Sequence, residues 1–199
     1  MALSKIQAES MNLADTYAFT GTVSGAGDPS LVRLGGGEAS GVNVGDVSFD
    51  LFSSTYQMYV VYFRFSNTGG GESWLRLRTS SGYQTNSNYR FMMVGRDNAL
   101  LGYAFGSSGD SKLKINENSV SSTQYDSCLG KAIFWNPTST SKNTHVAVEA
   151  NSHRSDGNFT HVRGGVEYQT AEAHVGFGFL ASASNLDEYN IQVYGVKES

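Results

Sequence analysis

The side chains best suited to chemistry in this sequence are four histidines, His145, His153, His161 and His174, and one cysteine, Cys128. A zinc site needs three or four Cys, His or acidic ligands, commonly at short regular separations. None of the histidines stands at such a separation from another ligand, and His145, His161 and His174 fall in segments that read as half-exposed strands. Cys128 with a distant histidine would make a nucleophile pair, but nothing local would lower its pKa. A buried, inert thiol is the plainer reading. Asp187 and Glu188 are adjacent acids ahead of a strand, which suits a solvated turn better than the paired carboxylates of a glycosidase. Gly109-Asp110-Ser111 and Ser155-Asp156-Gly157-Asn158 offer oxygen ligands, but too few for a calcium loop. Asn158-Phe159-Thr160 matches a glycosylation triplet, which a chain made in a cytoplasm would not use. No Gly-x-Ser-x-Gly elbow and no phosphate-binding loop occurs. The expectation is no enzyme, no cofactor and no metal.

Aromatic residues are the remaining candidates. Trp74 shares a strand face with Arg76 and Arg78, and Tyr83, Tyr89 and Tyr125 lie in or beside polar loops. Aromatic rings flanked by Asn, Ser and Asp suit stacking on sugars. They equally suit a protein contact, since aromatics are enriched at interfaces, or simple stacking of Trp74 on Arg76. Trp74, Arg76, Tyr83 and Tyr89 are therefore the candidate glycan or partner contacts.

These side chains must be positioned by strands. From Leu31 onward the pattern has period two or is continuously apolar, broken by turn residues. Strands are expected around Val47–Leu51, Tyr56–Ser66, Trp74–Thr79, Tyr89–Val94, Leu100–Phe105, Lys112–Ile115, Lys131–Asn136, Thr144–Ala150, Thr160–Tyr168, His174–Leu180 and Tyr189–Val196. Tyr59, Val61, Phe63 and Phe65 line one face of the second of these, and Leu75 and Leu77 point inward from the third. Met58, Val60 and Tyr62 make the opposite face apolar too, so a loop, an arm or another subunit should cover it. Connections are expected at Ser80–Asn88, Gly106–Ser111, Asn116–Ser127 and Ser152–Asn158. The spacing points to an all-β fold, an antiparallel two-sheet sandwich of jelly-roll type, with an up-and-down barrel as the other possibility.

The first 27 residues differ. Leu3, Ile6, Ser10, Leu13 and Tyr17 follow a coiled-coil spacing with a polar break at Ser10, and a Thr/Ser/Gly tract follows. Fewer than two heptads do not hold a helix alone in water. Residues 1–27 therefore read either as a frayed tail or as a docking arm anchored by Leu3, Ile6, Met11 and Leu13. Residues 28–199 form the sandwich.

Composition narrows the function. The chain has 199 residues, enough for a core without disulfides or metals. Charged residues make up only 16%, against 23 Gly, 11 Tyr and 11 Phe, a balance that favours β structure with tight turns. Net charge is −4 and no Lys/Arg run exists, which argues against tracking a nucleic acid. No segment has the length of an apolar membrane span or the form of a signal peptide, and a single cysteine suits a reducing compartment.

Four patches carry a resemblance. They are ALSKIQAESMNLADTYAFTGTVSGAG at 2–27, FSSTYQMYVVYFRFS at 52–66, LRLRTSSG followed by YQTNSNYRF across 75–91, and YNIQVYGVK at 189–197. Together they resemble the small β-sandwich tail-fibre and appendage proteins of cyanophages and related marine bacteriophages, with the stretch from Val94 to Asp187 unmatched. The resemblance implies a non-enzymatic virion protein, a head-fibre, decoration or tail-appendage subunit. It implies other virion proteins as partners and a homo-oligomer, a trimer by preference. Leu3, Ile6, Met11, Leu13, Met58, Val60 and Tyr62 would then be the docking or oligomerisation residues. The alternative is a receptor- or carbohydrate-binding module at a fibre tip that contacts a host surface glycan.

Overall fold

The computed structural model describes residues 30–69, 71–99, 102–116, 128–154, 157–182 and 185–197. The arm at 1–27, most of the connection at 116–127 with Tyr125, and Ser155 with Asp156 lie outside the described residues. Among the described residues there are strands and no helix. In chain order they are β1 (Leu31–Val44), β2 (Asp46–Phe49), β3 (Met58–Asn67), β4 (Ser73–Thr79), β5 (Gly82–Tyr83), β6 (Tyr89–Asp97) and β7 (Gly102–Asp110). Then come β8 (Leu113–Lys114), β9 (Cys128–Trp135), β10 (Thr144–His153), β11 (Phe159–Tyr168), β12 (Gly176–Ala181) and β13 (Leu186–Val196).

The strands form two antiparallel sheets. The large one has eight strands in the order β1-β13-β3-β9-β10-β11-β6-β7. The small one has five, β2-β12-β4-β5 with β8 also on β4. The chain steps between sheets: β1 and β3 lie in the large sheet, β2 and β4 in the small one. The late pair β12 and β13 then threads between them, β13 between β1 and β3 and β12 between β2 and β4. This nested wrapping is the jelly-roll arrangement and excludes an up-and-down barrel.

Alternation builds the core. Tyr59, Val61, Phe63 and Phe65 of β3 point inward, as do Leu75 and Leu77 of β4 and Ile191 and Val193 of β13. Phe177 and Phe179 of β12 project from the small sheet into this layer, with Phe177 5.2 Å from Phe134 and Phe179 4.8 Å from Phe63, ring centre to ring centre. Burying one such side chain contributes about 1.5–3 kcal/mol. Cys128 lies in this core, where burial pushes its thiol up to about 12.

Several expected boundaries move. Strand β1 is a full edge strand that alternation in the sequence concealed, because Gly35 and Gly37 occupy core-facing positions and the side chains of Leu51 and Phe49 fill the space above them. The expected loop Gly106–Ser111 is mostly strand, since β7 continues to Asp110 as the other edge of the large sheet. The expected loop Ser80–Asn88 contains β5, and β10 runs on to His153. Asp187 and Glu188 do not form a turn: they belong to β13, and Glu188 pairs with Arg64 at 2.6 Å. His174 precedes β12 and is 1% exposed, not half-exposed. Its Nδ1 lies 3.1 Å from Thr144 Oγ1 and 3.2 Å from the Pro137 carbonyl oxygen, and its ring meets the edge of Tyr168.

Candidate functional site

The outer faces of the two sheets differ in what they leave free. On the small sheet the register places Trp74 beside Leu180 and Lys114, Arg76 beside Gly178, and Arg78 beside Gly176 and Tyr83. The polar groups there are taken up by one another. Trp74 Nε1 donates to Glu72 at 2.8 Å, and the Lys112 ammonium sits 4.5 Å from the Trp74 ring centre. Arg76 Nε donates to the Ser111 carbonyl at 3.1 Å, and Lys114 pairs with Glu72 at 2.8 Å. Arg78 lies 3.5 Å from Asp50, bonds the Ser48 hydroxyl and stacks over Tyr83 at 5.1 Å. The Tyr83 hydroxyl donates to Asp46 at 2.6 Å, and burial, helped by that carboxylate, pushes its pKa well above the usual phenol value. Asp110 is engaged by the Ser111 amide at 2.6 Å and by Lys112 at 3.2 Å. Trp74, Arg76 and Tyr83 thus share one face but stand in a closed polar network.

Tyr89 is a correction. It is 1% exposed and faces the core, so it touches no glycan or partner. Its hydroxyl accepts from the Leu77 amide at 2.8 Å and donates to the Gln84 carbonyl at 3.2 Å. The polar loop before it suggested exposure, but the alternation of β6 turns Tyr89 inward with Phe91 and Met93.

The outer face of the large sheet is where depressions open. Register aligns its outward side chains in rows across the strands. One row runs Val196, Met58, Trp135, His145, Glu167 and Arg90. The next runs Tyr194, Val60, Ile133, Ala147, Gly165 and Met92. A third runs Gln192, Tyr62, Lys131, Glu149, Arg163 and Val94. The fourth runs Asn190, Arg64, Leu129, Asn151, His161 and Arg96. Opposed residues on one face of antiparallel strands are in contact distance, so each row is a physical band.

The second row is apolar, and Val196, Met58 and Trp135 extend it into the first, whose other half is His145, Glu167 and Arg90. Met92 is 68% exposed and Trp135 37% exposed. Between them Ala147 and Gly165 leave a trough, since a Cβ at Gly165 would meet no atom within 4 Å. This is the face on which Met58 and Val60 were expected to be covered, and no described segment of the chain lies over it. The other two rows are polar. A groove of about 690 Å³ is lined there by Tyr62, Arg64, Leu129, Lys131, Asn151, Asn190 and Gln192. Tyr62 is 49% exposed and packs edge-on against Tyr194. Lys131 and Glu149 pair at 2.9 Å, which holds the ammonium above and the carboxylate below their usual pKa values.

Of the expected docking residues, Met58, Val60 and Tyr62 share this face, and Leu3, Ile6, Met11 and Leu13 lie outside the described residues. The sequence reading missed Trp135, Ile133, Met92, Arg96, Arg163, Asn151, Asn190 and Gln192. Their outward positions were implicit in the alternation of each strand, but their neighbourhood depends on strand order. Among the described residues no group of three or more His, Cys, Asp or Glu could hold a metal. Comparison with protein-family models, with curated proteins and with solved structures finds no match to this chain.

Proposed function

We propose that this chain is a non-enzymatic structural protein of a bacteriophage virion, an appendage or decoration subunit that self-associates through the apolar half of its large sheet. The observation that carries the reading is the row Tyr194, Val60, Ile133, Ala147, Gly165 and Met92, extended by Trp135 and Met58. An exposed apolar band continuous across six strands is a feature of interfaces rather than of free surfaces. The resemblance of the patches at 2–27, 52–66, 75–91 and 189–197 to phage appendage domains supplies the virion context. A trimer is the favoured assembly, with the arm at 1–27 as the attachment to the particle.

The test is sedimentation velocity on the full chain and on an Ile133→Glu/Met92→Glu double variant. The native chain should sediment as an oligomer, and the variant as a folded monomer with unchanged circular dichroism. A native chain that stays monomeric at high concentration overturns self-association. Labelling purified particles with an antibody against the domain tests the virion placement, and particles without the label overturn it.

A second reading, glycan binding, is favoured by one specific arrangement. The groove beside the apolar half presents the half-exposed Tyr62 ring with the amides of Asn151, Asn190 and Gln192. A ring face with amides around it can stack on a sugar and hydrogen-bond its hydroxyls. The two readings use different halves of one sheet and are compatible in one protein.

A further inference from the structure

We infer that the depression between Arg96, His161 and Arg163 holds the acidic group, a carboxylate or a sulfate, of a glycan whose neighbouring sugar lies in the Tyr62 groove. The inference rests on the glycan reading and adds the ligand's chemical class.

The register puts His161 directly opposite Arg96, and Arg163 one outward position along the same strand opposite Val94. The three cationic or titratable side chains surround a depression of about 280 Å³ whose other walls are Val94 and Gly95. Arg96 and Arg163 are both exposed, and neither forms an ion pair or hydrogen bond among the described residues. Arg96 and Arg163 stand on a diagonal of adjoining strands, within reach of one another, so their charges repel and an incoming anion would relieve that repulsion.

The nearby acid supplies only part of the counter-charge, because it is shared. Glu149 stands one strand away from Arg163, but its carboxylate is bonded to Lys131 at 2.9 Å and lies 3.8 Å from His161 Nε2. One carboxylate therefore faces Lys131, Arg163 and His161, with Arg96 beyond it. The whole chain carries a net charge of −4, so a local excess of cations is not what its composition would place here by default. A guanidinium presents two parallel N–H donors that match the oxygens of a carboxylate or sulfate, and that match is the reason to expect a planar or tetrahedral oxyanion.

Asn151 joins this depression to the groove. Its Oδ1 accepts from His161 Nδ1 at 2.9 Å, and the same side chain lines the groove of Tyr62. Tyr62 lies on β3 and Arg163 on β11, three strand spacings apart, or about 14 Å at the usual separation. A ligand that uses both must be extended, carry a charge at one point and offer a stacking face at another. An acidic oligosaccharide does so. A peptide fits less well, because recognition by a sheet usually runs through an unpaired edge, and here only side chains project. A single-stranded nucleic acid wants several stacking platforms along a continuous cationic track. Here Glu149 interrupts the cations, and Tyr62 is the exposed ring that lines the groove, while Phe63 is buried.

The test is calorimetric titration of the full chain with oligogalacturonate, with dextran sulfate and with unsulfated dextran. The two acidic probes separate carboxylate from sulfate. At least one acidic probe should bind at least about tenfold more tightly than the neutral one. The Arg96→Ala/Arg163→Ala variant should lose at least about tenfold of that affinity with unchanged circular dichroism, and Tyr62→Ala should weaken acidic and neutral sugars alike. Equal binding of acidic and neutral sugars, or full affinity in the double arginine variant, overturns the charge site while the glycan reading stands. Binding of no sugar overturns both. Tighter, arginine-dependent binding of poly-glutamate or of single-stranded DNA assigns the site to another occupant and overturns the inference.

Discussion

Tyr83 lies across Gly178 so closely that a Cβ on residue 178 would stand 2.2 Å from the phenolic oxygen. The ring cannot swing aside freely. Its hydroxyl is tied to Asp46 at 2.6 Å and its face is covered by Arg78 at 5.1 Å. Gly178→Ala should therefore destabilise the fold by about 1–3 kcal/mol, the usual range for overpacking. Urea unfolding checks this. Adding Tyr83→Ala to the glycine variant should recover part of the loss, and a Gly178→Ala variant as stable as the native chain would show that the phenol yields without cost.

Tyr89→Phe should cost about 1–3 kcal/mol although only one oxygen is removed. That oxygen is the acceptor for the Leu77 amide at 2.8 Å, and both residues are buried. The amide would be left without a partner in the core. Paired denaturation curves of native and variant measure the effect, and superimposable curves would contradict it.

The thiol of Cys128 should be unreactive in the folded protein. Burial pushes its pKa up to about 12, and its side chain has no exposure. At pH 8 a disulfide reagent should modify it at the rate of unfolding, so that the rate rises steeply with denaturant. Rapid modification in buffer would mean that β9 opens locally.

His174 gives the stability a dependence on pH below neutrality. An unfolded histidine titrates near 6.5. Burial holds the folded His174 below its ordinary value, and the nearby Glu172 carboxylate opposes that shift without cancelling it. Above about 6.5 both states are neutral and the residue contributes no pH dependence. As pH falls through that value the unfolded state takes up its proton first. Stability is then lost progressively until the lower, folded pKa is passed. The urea midpoint should fall more between pH 7 and pH 5 in the native chain than in His174→Gln. Equal slopes would remove His174 as the source.

What could be read from the sequence follows the side chains that face inward. In β3, β4 and β13 the inward positions Tyr59, Val61, Leu75, Leu77, Ile191 and Val193 are large, apolar and alternate, so both strand and orientation were evident there. In β1 the core-facing positions include Gly35 and Gly37, which show no apolar period. In β7 the run Gly106-Ser107-Ser108-Gly109 has loop composition and becomes strand because β6 pairs with it. The candidate surface was less legible for another reason. Arg96 and Arg163 become neighbours only because β11 pairs with β6, a non-consecutive pairing that no local pattern encodes. The sequence therefore shows no basic run, while the fold gathers separate cations onto one face.

The position of β13 has a consequence for synthesis. It is the last described strand in chain order, yet it sits between β1 and β3 and supplies a hydrogen-bonded neighbour to each. Until it leaves the ribosome, β1 lacks its partner in the large sheet and β3 presents an open edge with four core side chains beside it. The sandwich therefore closes late, after nearly all of the domain has been translated. Nascent chains held on the ribosome before residue 186 should remain sensitive to protease and bind chaperones. Chains extended far enough for residue 197 to clear the exit tunnel should become resistant. Unpaired edges of this kind are where newly made chains aggregate. In this fold, closure of the large sheet and covering of the open β3 edge arrive with the same strand.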